Sequence, residues 1–265
     1  MNDYFSLLKD REFEKAEQIR KLSIPDKLIK FISLNDNLEL NRIKLQTLEK
    51  EQLWISSIES LNDPYEFSCM YVDRKKLQES GYPSEAIDAF EELMGKTLRN
   101  FGVASLSGNS FDCLPMWAYY ANNYAGYCVE YDVIGKDSIH KVSYEQDRIA
   151  LASILANFYH EFEKMTQAGA STNPEVEFYA MLITQQLFMK HQSWSHEKEY
   201  RIIYPIGSQK GIGASLTSVG LKTSKIVAGI NCSEDYISEL QEISCKLGCG
   251  KVERSQISPT AYTLR

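Results

Sequence analysis

The chain predicts an α+β fold: a small mixed or antiparallel sheet with flanking helices and a two-helix insertion. Three observations lead there. Short apolar runs with alternating character recur at irregular spacing along the chain. Stretches with helical periodicity separate them. No glycine-rich loop of the dinucleotide or P-loop type follows any of the runs, which disfavours a doubly wound parallel sheet.

Each element has its own signal. In residues 3–22, Phe5, Leu8, Phe13, Ala16 and Ile19 recur at roughly helical spacing, and Pro25 closes the run. Residues 1–24 therefore read as a helical extension, and 25–265 as one α+β domain. Leu28-Ile29-Lys30-Phe31-Ile32 is the first strand. Asn35 or Asp36 caps a helix to residue 49 or so, with Leu40, Ile43, Leu45 and Leu48 facing inward. Leu53-Trp54-Ile55-Ser56 is the second strand, and Leu61-Asn62-Asp63-Pro64-Tyr65-Glu66 a turn. A helix over 84–99, a strand over 103–107 and a short aromatic helix over 114–122 follow. Gly126 precedes a strand over 127–132, and residues 139–142 add another. Helices over 147–168 and 174–191 form the insertion at 147–191. A strand over 198–204, a Gly/Ser-rich loop over 207–213 and a strand over 226–230 come next. Ser233 caps a helix to about residue 247, and short strands near 250–254 and 261–264 end the chain.

Composition narrows the function classes. The formal net charge is −7, which argues against a dedicated nucleic-acid scaffold without excluding a local basic patch. No apolar run approaches the roughly 20 residues that span a bilayer, and Met1-Asn2-Asp3-Tyr4 lacks the pattern of a signal peptide. The expectation is a cytoplasmic protein with no membrane contact. The cysteines are scattered, and only Cys245 and Cys249 lie close, without histidine nearby, so reduced and mostly buried thiols are expected rather than zinc. His140, His160, His191 and His196 make no metal motif, and no Gly-x-Ser-x-Gly elbow supports serine hydrolysis.

Polar chemistry concentrates at Trp194-Ser195-His196-Glu197-Lys198-Glu199-Tyr200-Arg201, where helix gives way to strand. Alternation puts Glu199, Arg201 and Ile203 on one strand face, with Glu197 joining if the strand starts early. Such carboxylates serve as a general base or stabilise an oxocarbenium ion, and Arg201 braces them or binds a phosphate. A solvated charge run with a structural Arg–Glu pair explains the same spacing. Asn62, Asp63 and Glu66 form a turn, or else reach a cleft and orient a hydroxyl. Trp117, Tyr119, Tyr120 and Tyr124 form a stacking platform, or else a core stripe. Glu130 alternates away from Tyr127, Val129 and Tyr131 and is a candidate for the same site.

Taken as an ordered set, several pieces resemble a bacterial family of domains of unknown function. They are Leu53-Trp54-Ile55-Ser56 with Leu61-Asn62-Asp63-Pro64-Tyr65-Glu66, Met116-Trp117-Ala118-Tyr119-Tyr120-Ala121 with Gly126-Tyr127-Cys128-Val129-Glu130-Tyr131-Asp132, and the run from Trp194 to Arg201. The resemblance spans residues 27–232. Members of that family are often encoded near mobile or phage-defence genes. More distantly, the strand–helix–strand opening is similar to ADP-ribosyltransferase-like domains. That likeness implies an NAD-consuming enzyme, with NAD as substrate, acting as a toxin or anti-phage effector on protein, RNA or DNA. A regulatory antitoxin is an expected partner. Glu199 is then the catalytic carboxylate of a Glu-x-Glu pair, with Glu197 and Arg201 beside it. Lys30 stands where those domains carry His or Arg. Lys30, Ser56, Asp63, Trp117, Tyr120 and Glu130 are the expected NAD contacts. Two other readings stay open: a non-catalytic sensor or interaction module for a phosphorylated ligand or a partner, and a metal-dependent nuclease using Asp63, Glu66, Glu130 and Glu199.

Overall fold

The computed structural model describes residues 3–61, 63–261 and 263–264. In chain order the elements are α1 (Asp3–Lys9), α2 (Phe13–Leu22), β1 (Lys27–Ile32), α3 (Leu38–Glu49), β2 (Gln52–Ser57), β3 (Met70–Tyr71), α4 (Arg74–Glu79), α5 (Ser84–Arg99), β4 (Phe101–Ser107), α6 (Leu114–Tyr120) and β5 (Tyr127–Val133). There follow β6 (Ile139–Lys141), β7 (Ser143–Glu145), β8 (Ile149–Ala150), α7 (Ala152–Gln167), α8 (Pro174–Thr184), β9 (Met189–His191), β10 (Glu199–Pro205), β11 (Gly211–Ser215), β12 (Leu221–Ala228), α9 (Glu234–Leu247) and β13 (Glu253–Arg254). The fold is α+β, as expected.

The helix ends follow from local chemistry. The Asn37 side chain accepts the Leu40 amide at 3.0 Å and starts α3, one residue beyond the expected caps. Asn173 caps α8 with Pro174 as its first residue. Ser233 caps α9, and Gly248 ends it in the left-handed region at φ 70°.

Among the described residues nine strands form one sheet in the order β11-β2-β4-β1-β5-β12-β13, with β10 pairing β4 and β6 off this path. Among the described residues its pairings are antiparallel except β12 with β13. Two small parallel pairs, β3–β8 and β7–β9, stand apart. One face of the large sheet presents Leu28, Leu53, Ile55, Leu106, Tyr131 and Ile202 to α3 and α9. On the other face Ile29, Phe31, Cys128 and Val227 pack on α6. A separate core joins Phe5, Leu8 and Ala16 of the first two helices to α4, α5, α7 and α8.

Four expectations are corrected. The helix over 3–22 is two helices, because the chain reverses at Arg11, which adopts φ 60°. The helix over 174–191 ends at Thr184. Residues 185–188 form a 3₁₀ turn, and β9 is extended so that Met189 can pair with Ser143. Leu40 and Ile43 are not core residues, being 39% and 40% exposed. Near the C-terminus there is an isolated bridge, Ile257 to Leu264, instead of a strand over 261–264, and Tyr262 lies outside the described residues.

The irregularity that positions the site is at β4. One edge of β4 pairs β10 along its whole length, from Phe101–Pro205 to Ser107–Glu199. The other edge is shared: Gly102 and Val103 pair Ser57 and Ser56 of β2, whereas Ser107 pairs Ile29 of β1. β1 and β2 thus part opposite Ala104 to Leu106, and the gap is open to side chains.

Candidate active site

Glu199 opens β10, and alternation sets it beside Arg201 on the face that carries Ser107 and Ser105 of the neighbouring strand. Glu197 ends the preceding 3₁₀ turn (Gln192–Glu197). Lys198 then takes a left-handed conformation, φ 46°, so the chain turns sharply between the two glutamates. Ser107 Oγ donates to the Glu197 carbonyl at 2.7 Å, and Asn109 Nδ2 donates to the His196 and Glu197 carbonyls at 2.8 and 3.0 Å. The Glu199 amide donates to the Tyr144 hydroxyl at 2.8 Å. Both carboxylates are therefore fixed from their backbones outward.

Their side chains join a buried ionic cluster. Arg201 Nε donates to Glu199 Oε1 at 2.8 Å, and Arg201 Nη2 donates to Glu199 Oε2 at 3.1 Å and to Glu66 Oε1 at 2.5 Å. Its Nη1 donates to the Leu187 carbonyl at 2.7 Å. Lys190 Nζ lies 2.8 Å from Glu197 Oε2, 3.3 Å from Glu199 Oε2 and 3.8 Å from Glu66 Oε2. The Trp194 ring covers that ammonium at 4.8 Å. The Tyr120 hydroxyl donates to the remaining oxygen of Glu197. Three carboxylates thus face two cations, and Lys30, within electrostatic reach of Glu199, brings the count to three against three.

Burial alone would push the Glu199 carboxyl up. Arg201 and then Lys190 override it and hold it at about 2. Glu66 lies above the usual carboxylate range, because burial outweighs Arg201 and Lys190 there. Burial also pushes the Lys190 ammonium down, but Glu199, Glu197 and Glu66 together leave it raised. Lys30 is the exception: desolvation takes it down to about 8, against the pull of Glu199.

Lys30 alternates with Leu28 and Ile32, yet its Nζ donates to the Ser105 carbonyl at 3.1 Å, in the gap where β1 and β2 part. A cleft of about 160 Å³ lies there, walled by Lys30, Glu66, Tyr120, Trp194, Glu197 and Glu199. An apolar cavity of roughly 150 Å³ accepts a benzene ring, so this space suits one planar ring or a pentose.

Lys30, Asp63, Tyr120, Glu197 and Glu199 all line this cleft, with Arg201 buried directly behind Glu199 and Glu66. Asp63 also serves its turn, accepting the Tyr65 amide at 2.9 Å. Asn62 lies outside the described residues. Ser56 lines an adjoining chamber instead. Two expected contacts are corrected. Trp117 is fully buried: its Nε1 donates to the Phe111 carbonyl at 2.6 Å and its ring packs edge-on against Phe31, so it anchors α6 and offers no free face. Glu130 pairs with Lys27 and accepts from Ser224, away from the cleft. Glu66, expected to form a turn or orient a hydroxyl, lines the cleft and pairs with Arg201 and Lys190, and Trp194 of the expected run covers Lys190. Lys190, Ser107 and Tyr144 belong to the site without having been singled out for it. Lys190 directly follows the apolar run Leu187-Phe188-Met189.

Residues 116–202 match the model of the DUF2971 family, described as protein of unknown function. The matched stretch holds most of α6, β5, both inserted helices, Lys190 and the Glu-x-Glu-x-Arg run. It leaves out the Leu53 to Glu66 pieces, so the shown likeness is narrower than 27–232. No curated protein and no solved structure matches the chain. No described helix is long and apolar enough to cross a membrane.

Proposed function

We propose that the protein is an NAD-consuming, ADP-ribosyltransferase-like enzyme with Glu199 as its catalytic carboxylate. The observation that carries this reading is the pair Glu197 and Glu199 facing Lys30 across one ring-sized cleft. In such a transfer the bond from ribose C1′ to the nicotinamide nitrogen breaks. Its electron pair leaves with nicotinamide, and C1′ bears positive charge until an acceptor attacks. A carboxylate kept ionised at the cleft wall, as Arg201 and Lys190 keep Glu199, stabilises that charge. Glu197 takes the proton that the acceptor loses, and Lys30 meets a phosphate. Tyr120 and Trp194 flank the leaving ring. The acceptor is a protein or a nucleic acid, and the setting is that of a toxin or anti-phage effector with its own regulatory partner.

A second reading has its own support. Both oxygens of Glu199 are already engaged by buried cations, as in a rigid, non-catalytic sensor. A metal-dependent nuclease has less: among the described residues no three His, Cys, Asp or Glu side chains converge as metal ligands, and Lys190 and Arg201 sit between the carboxylates. The test is incubation of the purified protein with labelled NAD and total lysate. NAD loss or a labelled product that disappears in Glu199→Gln supports transfer. An intact NAD pool with no labelled product rejects it, and ligand-induced thermal stabilisation without turnover then favours the sensor.

A further inference from the structure

Lys30, Phe31, Ser60 and Tyr120 line the acidic cleft and also a second chamber of about 550 Å³. Its other walls include Leu40, Ile43 and Lys44 of α3, Trp54 of β2, and Lys210. Leu40, Ile43 and Trp54 are each about two-fifths exposed, whereas Leu45 and Leu48 of α3 and Leu53 and Ile55 of β2 are buried in the sheet core. The chamber has three lysines and no carboxylate on its walls, in a chain where acidic residues outnumber basic ones 36 to 29. The cleft next door holds Glu66, Glu197 and Glu199.

These lysines keep donors in reserve. Lys30 spends one N–H on the Ser105 carbonyl, and Lys44 spends two on the Ser33 carbonyl and hydroxyl at 2.7 and 2.9 Å. Among the described residues none of Lys30, Lys44 and Lys210 has a carboxylate within 4 Å, and only Lys30 feels one, Glu199, at longer range. Burial lowers Lys30 and Lys44 below the ordinary lysine range, the mark of cations short of counter-charge. An apolar wall with an exposed indole suits a base, and unpaired ammonium groups suit phosphate oxygens. A pyrophosphate bridging the two spaces engages Lys30, the lysine common to both. Lys44 and Lys210, which line the chamber alone, exceed what that bridge requires.

We infer that the chamber binds a nucleoside carrying an additional monoester phosphate, with its base on Trp54 and that phosphate on Lys44 and Lys210. Resting here on the NAD reading, the dinucleotide consumed is the 2′-phosphorylated form in preference to plain NAD.

Calorimetric titration of the full chain with adenosine 2′,5′-bisphosphate and with adenosine 5′-monophosphate tests the chamber without any turnover. The bisphosphate binds tighter by about tenfold or more, as charge-assisted contacts to a second phosphate require. Lys44→Gln with Lys210→Gln removes that advantage while the circular dichroism spectrum stays native. Equal affinities, binding of neither ligand, or an advantage that survives in a folded double variant overturns the inference. If the double variant does not fold, salt decides: the wild-type advantage shrinks between about 50 and 300 mM NaCl when lysines hold the phosphate, and a flat response overturns the assignment. Parallel incubations with the two dinucleotides separate the claims. Bisphosphate binding with consumption of neither refutes the transfer and leaves the chamber standing. NAD consumption with no bisphosphate preference does the reverse.

Discussion

Replacing Arg201 with methionine removes a guanidinium and keeps most of the stem. The lost contacts are two to Glu199, one to Glu66 and one to the Leu187 carbonyl. Lys190 is then left, with only the more distant Lys30, to balance three buried carboxylates. Removing one member of a buried ion group costs roughly 3–5 kcal/mol, mostly because the remaining charges stay desolvated. An unfolding entropy of about 2.1 cal/mol/K per residue gives roughly 0.55 kcal/mol/K for a chain of this length, so the midpoint falls by about 5–9 °C. The pH dependence identifies the cause. In the intact protein Glu199 titrates at about 2, below its ordinary 4.5, so its stabilisation is complete above 4.5 and lost as pH falls toward 2. In the variant, desolvation lifts the carboxylates above their unfolded values. Their penalty is then full at neutral pH and vanishes in acid. The two proteins differ most near pH 7 and converge toward pH 3. Thermal unfolding by circular dichroism at pH 7, 5 and 3 measures the difference. A gap that does not change with pH, or a loss at pH 7 under about 1 kcal/mol, refutes the ionic account of the cluster.

Lys30 sets a second pH dependence. With its ammonium pushed down to about 8, affinity for an anionic ligand holds below pH 7 and falls as pH rises through 8; Lys30→Arg abolishes that step, as titrations from pH 6 to 9.5 will show. Trp117→Ala destabilises by about 3–5 kcal/mol in denaturant unfolding because it empties a core site, whereas Trp194→Ala loses about 1 kcal/mol from the Lys190 contact and weakens ligand binding instead. Equal stability losses for the two would contradict their assigned places. A Cβ at Gly126 would sit 2.0 Å from the Ile32 carbonyl oxygen, so Gly126→Ala forces β5 from β1 and lowers stability by roughly 3 kcal/mol or more in the same assay.

The elements that were legible in the sequence are those whose periodicity matches their burial. β10 alternates as expected because Tyr200 and Ile202 enter one core while Glu199 and Arg201 enter the cluster. The Glu-x-Glu-x-Arg run was legible for the same reason. Lys190 was not, and Glu66 was legible as a cleft candidate but not as a partner of Arg201, because 11 and 135 residues separate them from Arg201 and only the tertiary fold brings them within 4 Å of the same carboxylates or guanidinium. Trp117 misled because a helical aromatic stripe looks alike whether it faces a ligand or a sheet, and Phe31 decides which. Leu40 and Ile43 misled in the opposite direction: the period of α3 points them inward, but β1 and β2 part at that point and leave a chamber where a core would be.

The parting of β1 and β2 also explains why an expensive cluster persists. Replacing a buried ion group with apolar side chains of equal volume is often neutral or stabilising, so six charges at a sheet centre are poor evidence of selection for stability. Specificity of packing alone would account for a sealed cluster. This one forms the wall of an open cleft, and its members are held by groups that serve no other evident purpose: Ser107 and Asn109 on the backbone at Glu197, Tyr144 on the amide of Glu199, and Trp194 on Lys190. Arg201 and Lys190 keep Glu199 ionised where burial would neutralise it. Opposite, Lys30 is left with spare donors and a weakened hold on its proton. A fixed anion facing an under-compensated cation across a ring-sized gap is the arrangement that a ligand carrying both a developing positive centre and a phosphate would complete.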